Sequence, residues 1–272
     1  MRLTVTLPSE SSTMDPDLLV ATAIRAEELG YQGVWLPDHL LLPNGFDGDL
    51  GGVYEPLVTL SYLAAATTRI TLGSAVIILP LRNPFVVAKQ SAALAKLSKG
   101  RFILGISVGW NEQEYASVGV DFRRRGLLMD ESPRLIRHLH TVGHGPFASA
   151  AFPFTTGIFA PIPVPPVPFM IGGVSEAALR RAATYGEMWQ SFSVQPEEFR
   201  EKVARLRSLT SRSIDVGTQV DWASASTSVD DVVAEIDTWR ATGADNLSIW
   251  FGPLDGYSAR MESLARRLHL PP

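Results

Sequence analysis

The stretch Gly33-Val34-Trp35-Leu36-Pro37-Asp38-His39 is an apolar run that ends abruptly in an acid and an imidazole. Strands of a parallel sheet are buried on both faces and read as continuous apolar runs, so polar residues at their carboxyl ends are the ones aimed at a ligand. The stretch therefore predicts a buried parallel strand, Gly33 to Leu36, with Asp38 and His39 as the first candidates for chemistry.

The same pattern recurs along the chain as a short apolar run, a polar turn and a longer amphipathic stretch. The predicted strands are Arg2 to Leu7, Gly33 to Leu36, Ile70 to Leu79, Arg101 to Val108, Phe169 to Ile171, Met188 to Phe192, Ile214 to Trp222 and Leu247 to Phe251. The predicted helices are Asp15 to Leu29, Pro56 to Thr67, Pro84 to Leu97, about Leu127 to Val142, Ser175 to Tyr185, Pro196 to Leu209, Val229 to Thr242 and Ser258 to Leu268. Between the fourth helix and the fifth strand, Gly145 to Pro168 is rich in proline, glycine and aromatic residues, which indicates an irregular insertion or a hairpin.

Eight strand-then-helix units are the number that closes a barrel. The predicted fold class is therefore α/β, a (β/α)8 TIM barrel with a short irregular insertion before the fifth strand. An open doubly wound sheet is the alternative, but it normally carries an early G-x-G-x-x-G turn, and none follows the first predicted strand. We expect residues 1–272 to form a single domain, because one-domain barrels commonly run to roughly 250 residues.

The composition argues against several functional classes. Apolar residues make up 46% of the chain and charged residues 19%, which suits a sizeable buried core. The 24 basic and 28 acidic residues are scattered apart from Arg123 to Arg125, so no basic stripe indicates nucleic-acid binding. The absence of cysteine excludes disulfides and thiolate catalysis, and no window approaches the roughly 20 apolar residues of a membrane span. We expect a cytoplasmic protein without nucleic-acid or membrane partners.

The active site of a barrel lies at the carboxyl ends of its strands, so the candidates are residues that stand there. His39 can accept or donate a proton near neutral pH, or it can be a structural histidine held by Asp38 or a backbone carbonyl. Gly73 removes side-chain bulk where a flat ring could approach the backbone, or it marks a bulge, and Ser74 adds a hydroxyl. Asn111 binds a ligand carbonyl or fixes its own turn.

The glycine pair before the fifth predicted helix is a candidate anion site. Glycines let backbone amides approach a phosphate, and the amino terminus of a helix favours negative charge. Gly172-Gly173-Val174-Ser175 therefore indicates either a phosphate cradle or a tight turn without a ligand.

The histidines give little support to a metal site. His138 and His140 are two residues apart on a predicted helix, so they point to different faces and cannot share an ion. We expect no metal.

Six motifs, in order, span nearly the whole chain. They are Gly33-Val34-Trp35-Leu36-Pro37-Asp38-His39, Gly73-Ser74-Ala75-Val76, Leu81-Arg82-Asn83-Pro84, Leu97-Ser98-Lys99-Gly100-Arg101-Phe102-Ile103-Leu104-Gly105, Val108-Gly109-Trp110-Asn111-Glu112 and Pro168-Phe169-Met170-Ile171-Gly172-Gly173. Together they resemble the bacterial luciferase-like monooxygenase family. The nearest resemblance is to its deazaflavin branch, whose members use coenzyme F-420.

The resemblance implies a barrel that lays a flavin or deazaflavin ring across the strand ends. His39 would be the catalytic residue, acting as the substrate-side acid or base. The implied cofactor-binding residues are Asp38, Gly73, Ser74, Ala75, Asn111, Gly172, Gly173, Val174 and Ser175. Within this set, Gly73 to Ala75 would form a third-strand bulge with a non-proline cis peptide behind the ring. Asn111 would contact the ring's polar edge, and Gly172 to Ser175 would hold the tail phosphate.

The implied activity is hydride transfer between coenzyme F-420 and a small organic substrate. An FMN-dependent monooxygenase that receives reduced flavin from a partner reductase is the first alternative, and a non-catalytic cofactor-binding barrel is the second. Sugar-phosphate dehydrogenases of this branch carry a glutamate where this chain has Val108, which argues against glucose 6-phosphate as the substrate. The loop Leu40 to Glu55, with Phe46 and Tyr54, suggests an apolar or aromatic substrate. A homodimer is one expected assembly, because dimers are the commonest.

Overall fold

The apolar runs of the sequence form a parallel sheet in the computed structural model, which describes residues 1–9, 14–41, 54–222 and 227–271. The strands are β1 Arg2–Thr6, β2 Gly33–Leu36, β3 Thr71–Ser74, β4 Ile77–Ile78, β5 Phe102–Ser107, β6 Phe169–Gly172, β7 Met188–Ser191, β8 Asp215–Asp221 and β9 Asn246–Trp250. The α-helices are α1 Pro16–Glu28, α2 Pro56–Ala66, α3 Pro84–Leu97, α4 Glu112–Ser117, α5 Arg125–Thr141, α6 Glu176–Tyr185, α7 Pro196–Leu209, α8 Val229–Ala241 and α9 Tyr257–Leu268. Short 3-10 helices occupy Leu79–Leu81 and Phe122–Arg124.

The sheet closes on itself. Its strand order is β3-β2-β1-β9-β8-β7-β6-β5-β4, and β3 also pairs with β5. Because β3 and β4 share one position beside β5, the nine strands make an eight-strand parallel barrel with helices between the strands. The predicted (β/α)8 barrel is therefore confirmed. Among the described residues, no helix combines the length and the apolar character needed to cross a membrane.

The third predicted strand, Ile70 to Leu79, is wrong as a continuous element. It is divided into β3 and β4, and its end forms the first 3-10 helix. Gly73 pairs with Ile103 of β5, and Ile77 pairs with Ile106. Between these two pairs the chain advances four residues on the side of β3 and β4 but only three residues along β5. The extra residue is a β-bulge, and the Ala75–Val76 peptide bond within it is cis. A run of apolar residues looks the same with or without a bulge, so periodicity could not find the break.

The loop expected after the fourth predicted strand contains a short helix, α4. Asn111 is its N-cap, and the Asn111 side chain accepts a hydrogen bond from the Gln113 amide at 3.1 Å. This helix is too short to show a clear helical period. The insertion Gly145 to Pro168 is irregular as expected, with antiparallel bridges between His144 and Ile158 and between Phe147 and Phe154.

The interior of the barrel is filled by a few large side chains packed against glycines. Trp35, Met170 and Met188 form a small buried cluster inside the strands. A Cβ atom added to Gly73 would lie 1.8 Å from Cζ3 of Trp35, so the glycine is required for this packing. The indole Nε1 of Trp35 donates to Thr4 Oγ1 at 2.7 Å, which satisfies its polar atom. This layer closes the barrel below the carboxyl ends of the strands.

Candidate active site

A cavity of about 510 Å³ opens at the carboxyl ends of the strands. This volume is typical of a small-molecule site, for which roughly 300–1,000 Å³ is usual. Its lining combines apolar side chains, glycines and a few polar groups. These residues are Pro37, Asp38, His39, Ala75, Val76, Ile78, Ser107, Gly109, Trp110, Gly173, Phe192, Ser193, Gln219 and Asp221. The predicted site residues Asp38, His39, Ala75 and Gly173 are thus brought together at one opening.

His39 is held by a glutamate that the sequence analysis did not single out. Its Nδ1 lies 2.9 Å from Oε2 of Glu114, whose side chain is 1% exposed. The other oxygen, Oε1, accepts from the backbone amides of Leu40 at 2.5 Å and Leu41 at 3.2 Å. Glu114 therefore ties α4 to the segment that follows β2 and fixes the orientation of the imidazole.

The charge of Glu114 determines which nitrogen of the neutral His39 ring carries the proton. Burial alone raises the pKa of Glu114, but the hydrogen bonds from His39 and from the Leu40 and Leu41 amides outweigh it, and the net pKa is lowered. Glu114 is thus ionised and can only accept a hydrogen bond, so Nδ1 of His39 carries a proton and donates it in the hydrogen bond to Glu114. Nε2 is the ring nitrogen that remains for a ligand in the cavity.

Asp38 is buried in a network of hydrogen bonds. Its Oδ1 accepts from Nη2 of Arg82 at 2.5 Å, and its Oδ2 accepts from the Ile78 amide at 2.9 Å and from Nε of Arg82 at 3.3 Å. Arg82 also pairs through Nη1 with Oε1 of Glu55 at 2.9 Å. This network joins the segment after β2 to β4 and to the start of α2, so it holds Asp38, the residue that precedes His39, in place. Direct contact between Asp38 and a cofactor stays a prediction.

The three residues of the third-strand motif have different positions. Ala75 lines the cavity at the cis peptide bond. Ser74 is fully buried, and its hydroxyl donates to the Gly105 carbonyl at 2.9 Å and accepts from the Gly105 amide at 3.0 Å. The flat ring that packs against Gly73 is the indole of Trp35. Gly73 and Ser74 thus shape the bulge, while Ala75 presents it to the cavity.

Asn111 carries a buried donor, but it is not among the residues that line the large cavity or the smaller one beside it. The residue is 8% exposed, and its Oδ1 is used by the helix cap. Its Nδ2 is buried and has no hydrogen-bond partner among the residues that the structure describes. An unpaired buried amide costs about 1–3 kcal/mol, so a ligand oxygen at this position would be favoured. The predicted contact with the polar edge of a ring stays a prediction.

A smaller cavity of about 50 Å³ adjoins the large one, since Ser107 and Gly173 line both. Gly172, Ser175, Ala178 and Arg181 also line it, so the first turn of α6 and a guanidinium face the same space. Arg181 is partly neutralised by Asp130, to which its Nε donates at 2.7 Å.

Several groups of the predicted phosphate cradle already have partners within the protein. The Ser175 side chain caps α6. The Gly173 amide donates to the Gln190 carbonyl at 3.1 Å, and Val174 packs against the core. An anion here would therefore rely on the start of α6 and on Arg181 more than on the glycine amides.

Sequence reasoning missed five residues to which the site gives a role: Arg82, Glu114, Arg181, Gln219 and Asp221. Gln219 and Asp221 lie two positions apart near the end of β8, and both line the cavity. Polar residues at alternate positions share one face of a strand, and that was the signal available within the predicted strand Ile214 to Trp222. Glu114 and Arg82 carry no such signal, because their partners are distant in the sequence.

The side chains of His138 and His140 have structural partners. Nε2 of His138 is 2.8 Å from the His144 carbonyl, and Nε2 of His140 is 2.9 Å from the Ala88 carbonyl. Within the described ranges, no group of three or more histidine, aspartate or glutamate side chains could hold a metal ion.

A closed (β/α)8 barrel with a carboxylate-held histidine at the mouth of a ligand cavity defines an enzyme-like small-molecule site. Residues 1–268 match the model of the luciferase-like monooxygenase family. The chain belongs to this family, and its class is therefore oxidoreductase.

Individual proteins are similar to this chain over much of its length. An uncharacterized protein of Mycobacterium tuberculosis is 31% identical over 205 residues, which cover 70% of each chain. A protein of Kineococcus radiotolerans named F420-dependent glucose-6-phosphate dehydrogenase is 34% identical over 176 residues, which cover 63% of this chain and 51% of that one. The crystal structure of a monooxygenase from Streptomyces bottropensis superposes with a TM-score of 0.86 at 16% identity and covers 99% of both chains, which shows the shared fold.

Proposed function

We propose that the protein transfers a hydride between coenzyme F-420 and a small organic substrate. The observation that carries this proposal is the position of His39, whose Nδ1 is held by ionised Glu114 while its ring lines the cavity at the strand ends. The name of the Kineococcus radiotolerans relative, an F420-dependent dehydrogenase, supports the choice of a deazaflavin.

The residues present fit such a cofactor. Its planar ring would lie in the larger cavity against Ala75, and its anionic tail would extend past Gly173 into the smaller cavity. There the first turn of α6 and Arg181 would hold the phosphate, and Ser175 would keep the helix end in place. The orphaned Nδ2 of Asn111 would donate to a polar atom of the ring. When bound, the deazaflavin supplies the carbon that accepts or gives the hydride.

The chain's own contribution is orientation and proton transfer. As a hydride leaves the carbon of an alcohol, the hydroxyl proton passes to Nε2 of His39, which is the unprotonated nitrogen in the neutral ring. The ionised Glu114 then stabilises the imidazolium through Nδ1. In the direction of reduction, the same nitrogen returns the proton to the carbonyl oxygen. The apolar walls formed by Val76, Ile78 and Phe192 limit the access of water.

The cofactor is tested by titrating the purified apo protein with coenzyme F-420 and with FMN in parallel, by calorimetry. We expect saturable binding of F-420 and weaker binding of FMN. Tight FMN binding with no F-420 response would replace the proposal with an FMN-dependent monooxygenase. Binding of F-420 without turnover of any substrate in a panel of alcohols, aldehydes and ketones would favour a non-catalytic barrel.

The role of His39 is tested with His39→Ala in the F-420-loaded protein. We expect turnover to fall by about 10²–10⁴-fold, the usual contribution of a general acid or base, while the affinity for F-420 stays nearly unchanged. His138→Ala is a matched control, because that histidine bonds to the His144 carbonyl outside the cavity lining. Equal turnover of the His39 variant and the wild type would remove this residue from the mechanism.

A further inference from the structure

Asp221 is a carboxylate of the cavity wall that the proposed hydride transfer does not use. It lies at the last position of β8 and lines the same cavity as His39. Its Oδ1 accepts from Nε2 of Gln219 at 3.0 Å. Gln219 is itself held, because its Oε1 accepts from Thr6 Oγ1 at 3.0 Å and that hydroxyl is 2.8 Å from Ser248 Oγ. A chain of polar groups along the inner wall of the barrel thus orients the carboxylate.

The charge of Asp221 has no cationic partner in the described part of the chain, where no salt bridge includes it. The other ionised carboxylates at the site are satisfied, since Asp38 pairs with Arg82, and Glu114 accepts hydrogen bonds from Nδ1 of His39 and from the Leu40 and Leu41 amides. The segments 10–13, 42–53 and 223–226 contain no lysine, arginine or histidine, so they supply no counter-charge. No lysine or arginine is among the residues that line the cavity. The side of the cavity formed by β8 therefore carries one uncompensated negative charge.

The remaining walls suit a cation with an apolar body. Phe192 and Trp110 line the cavity, and Trp110 is 55% exposed. Aromatic rings attract cations through their faces and pack well against apolar groups. Asp221 is exposed at the mouth of the cavity, so water screens its charge, and its attraction for a cation is that of a surface ion pair.

We infer that Asp221 selects substrates that carry a protonated amine, so that the substrate class is small organic cations with an apolar portion. This inference rests on the proposed function for the chemistry at His39 and adds the group that binds the substrate's charge. Asp221 acts on binding and takes no part in the proton transfer.

The test uses three probes with the same ring and different charge: benzylamine, benzyl alcohol and benzoate. Their dissociation constants are measured by ligand-observed NMR with the F-420-loaded wild type, Asp221→Asn, Asp221→Glu and Asp237→Asn. We expect benzylamine to bind the wild type up to about fivefold more tightly than benzyl alcohol, the upper end of what an exposed ion pair contributes, and benzoate to bind weakest. Asp221→Asn should lose the preference for benzylamine, and Asp221→Glu should retain part of it.

The matched control is Asp237→Asn, which removes an exposed acid on α8 that pairs with Arg240. It should keep the full preference, because it lies outside the cavity. An equal preference in the wild type and Asp221→Asn, or no preference in the wild type, would overturn the inference. Each sample is first titrated with F-420, so a failure of the proposed cofactor is seen separately as absent cofactor binding in the wild type. An F-420-binding wild type without amine selectivity would leave the proposed function standing and this inference refuted.

Discussion

Replacing Glu114 by glutamine should reverse the tautomer of His39. In the wild type, Oε1 of Glu114 accepts from the Leu40 and Leu41 amides, and Oε2 faces Nδ1 of His39. A glutamine side chain has one acceptor oxygen and one donor nitrogen. The oxygen must stay with the two amides, so the nitrogen takes the place of Oε2 and donates to Nδ1. The proton of the neutral imidazole then moves to Nε2, the nitrogen that the proposed mechanism requires as the acceptor.

The expected losses of stability and of turnover follow from the one hydrogen bond that Glu114→Gln changes. The variant keeps the acceptor for the backbone amides, so the stability loss should be limited to about 1.5–3 kcal/mol for a hydrogen bond to a charged group. Turnover should fall by about 10²–10⁴-fold, the full contribution of a general base. That range corresponds to about 2.7–5.4 kcal/mol of activation free energy at 1.36 kcal/mol per factor of ten.

The tautomer can be measured without a known substrate. The five histidines are labelled with ¹⁵N, and their ring nitrogens are distinguished by long-range ¹H–¹⁵N correlation spectra, with His39→Ala to assign the signal. We expect the Nδ1–H form in the wild type and the Nε2–H form in Glu114→Gln. Glu112→Gln, an exposed change at the start of the same helix, should leave the spectrum unchanged. An Nδ1–H tautomer that persists in Glu114→Gln would refute the reasoning.

Three further predictions concern stability. Asp38→Asn should lower the free energy of unfolding by about 3–5 kcal/mol in urea titrations, because it breaks a buried ion pair and leaves Arg82 undercompensated, and a loss below 1 kcal/mol would contradict the network. Gly73→Ala should lower it by about 1–3 kcal/mol through overpacking and shift the fluorescence of Trp35, because the new Cβ would lie 1.8 Å from the indole; unchanged spectra and stability would argue against this packing. The pKa of Glu114 is lowered from 4.5, so its contribution is complete above that pH and is lost as the pH falls through the lower native value. The stability difference between wild type and Glu114→Gln should therefore shrink below pH 4.5, and a difference that grows on acidification would contradict the sign.

The architecture could be predicted because most strands are buried apolar runs and most of the long helices have an amphipathic stretch. The residues just past the second run, Asp38 and His39, were found for the same reason, since the ends of parallel strands meet at one face, whereas Ala75 came from the family resemblance. The bulge between Gly73 and Ile77 was not found by periodicity, because it changes the register without changing the polarity of the run. The resemblance to a family supplied both the bulge and the cis peptide.

The partners of the site residues could not be predicted from the pattern. Glu114 is 75 positions from His39, and Arg82 is 44 positions from Asp38. Contacts at such separations depend on how the barrel closes, and a local sequence pattern carries no information about them. Gln219 and Asp221 could have been predicted from the sequence. A strand of a closed barrel directs alternate residues inward, and these two residues are both polar.

The central claim is that the ends of β2, the bulge, β5 and β6 form one cofactor site within reach of His39. A crystal structure of the protein soaked with coenzyme F-420 tests it most directly. We predict a ring lying against Ala75 in the large cavity, with its reactive face towards Nε2 of His39 and its phosphate at the start of α6 beside Arg181. A ring bound outside this cavity, or one whose reactive face is turned away from His39, would contradict the account.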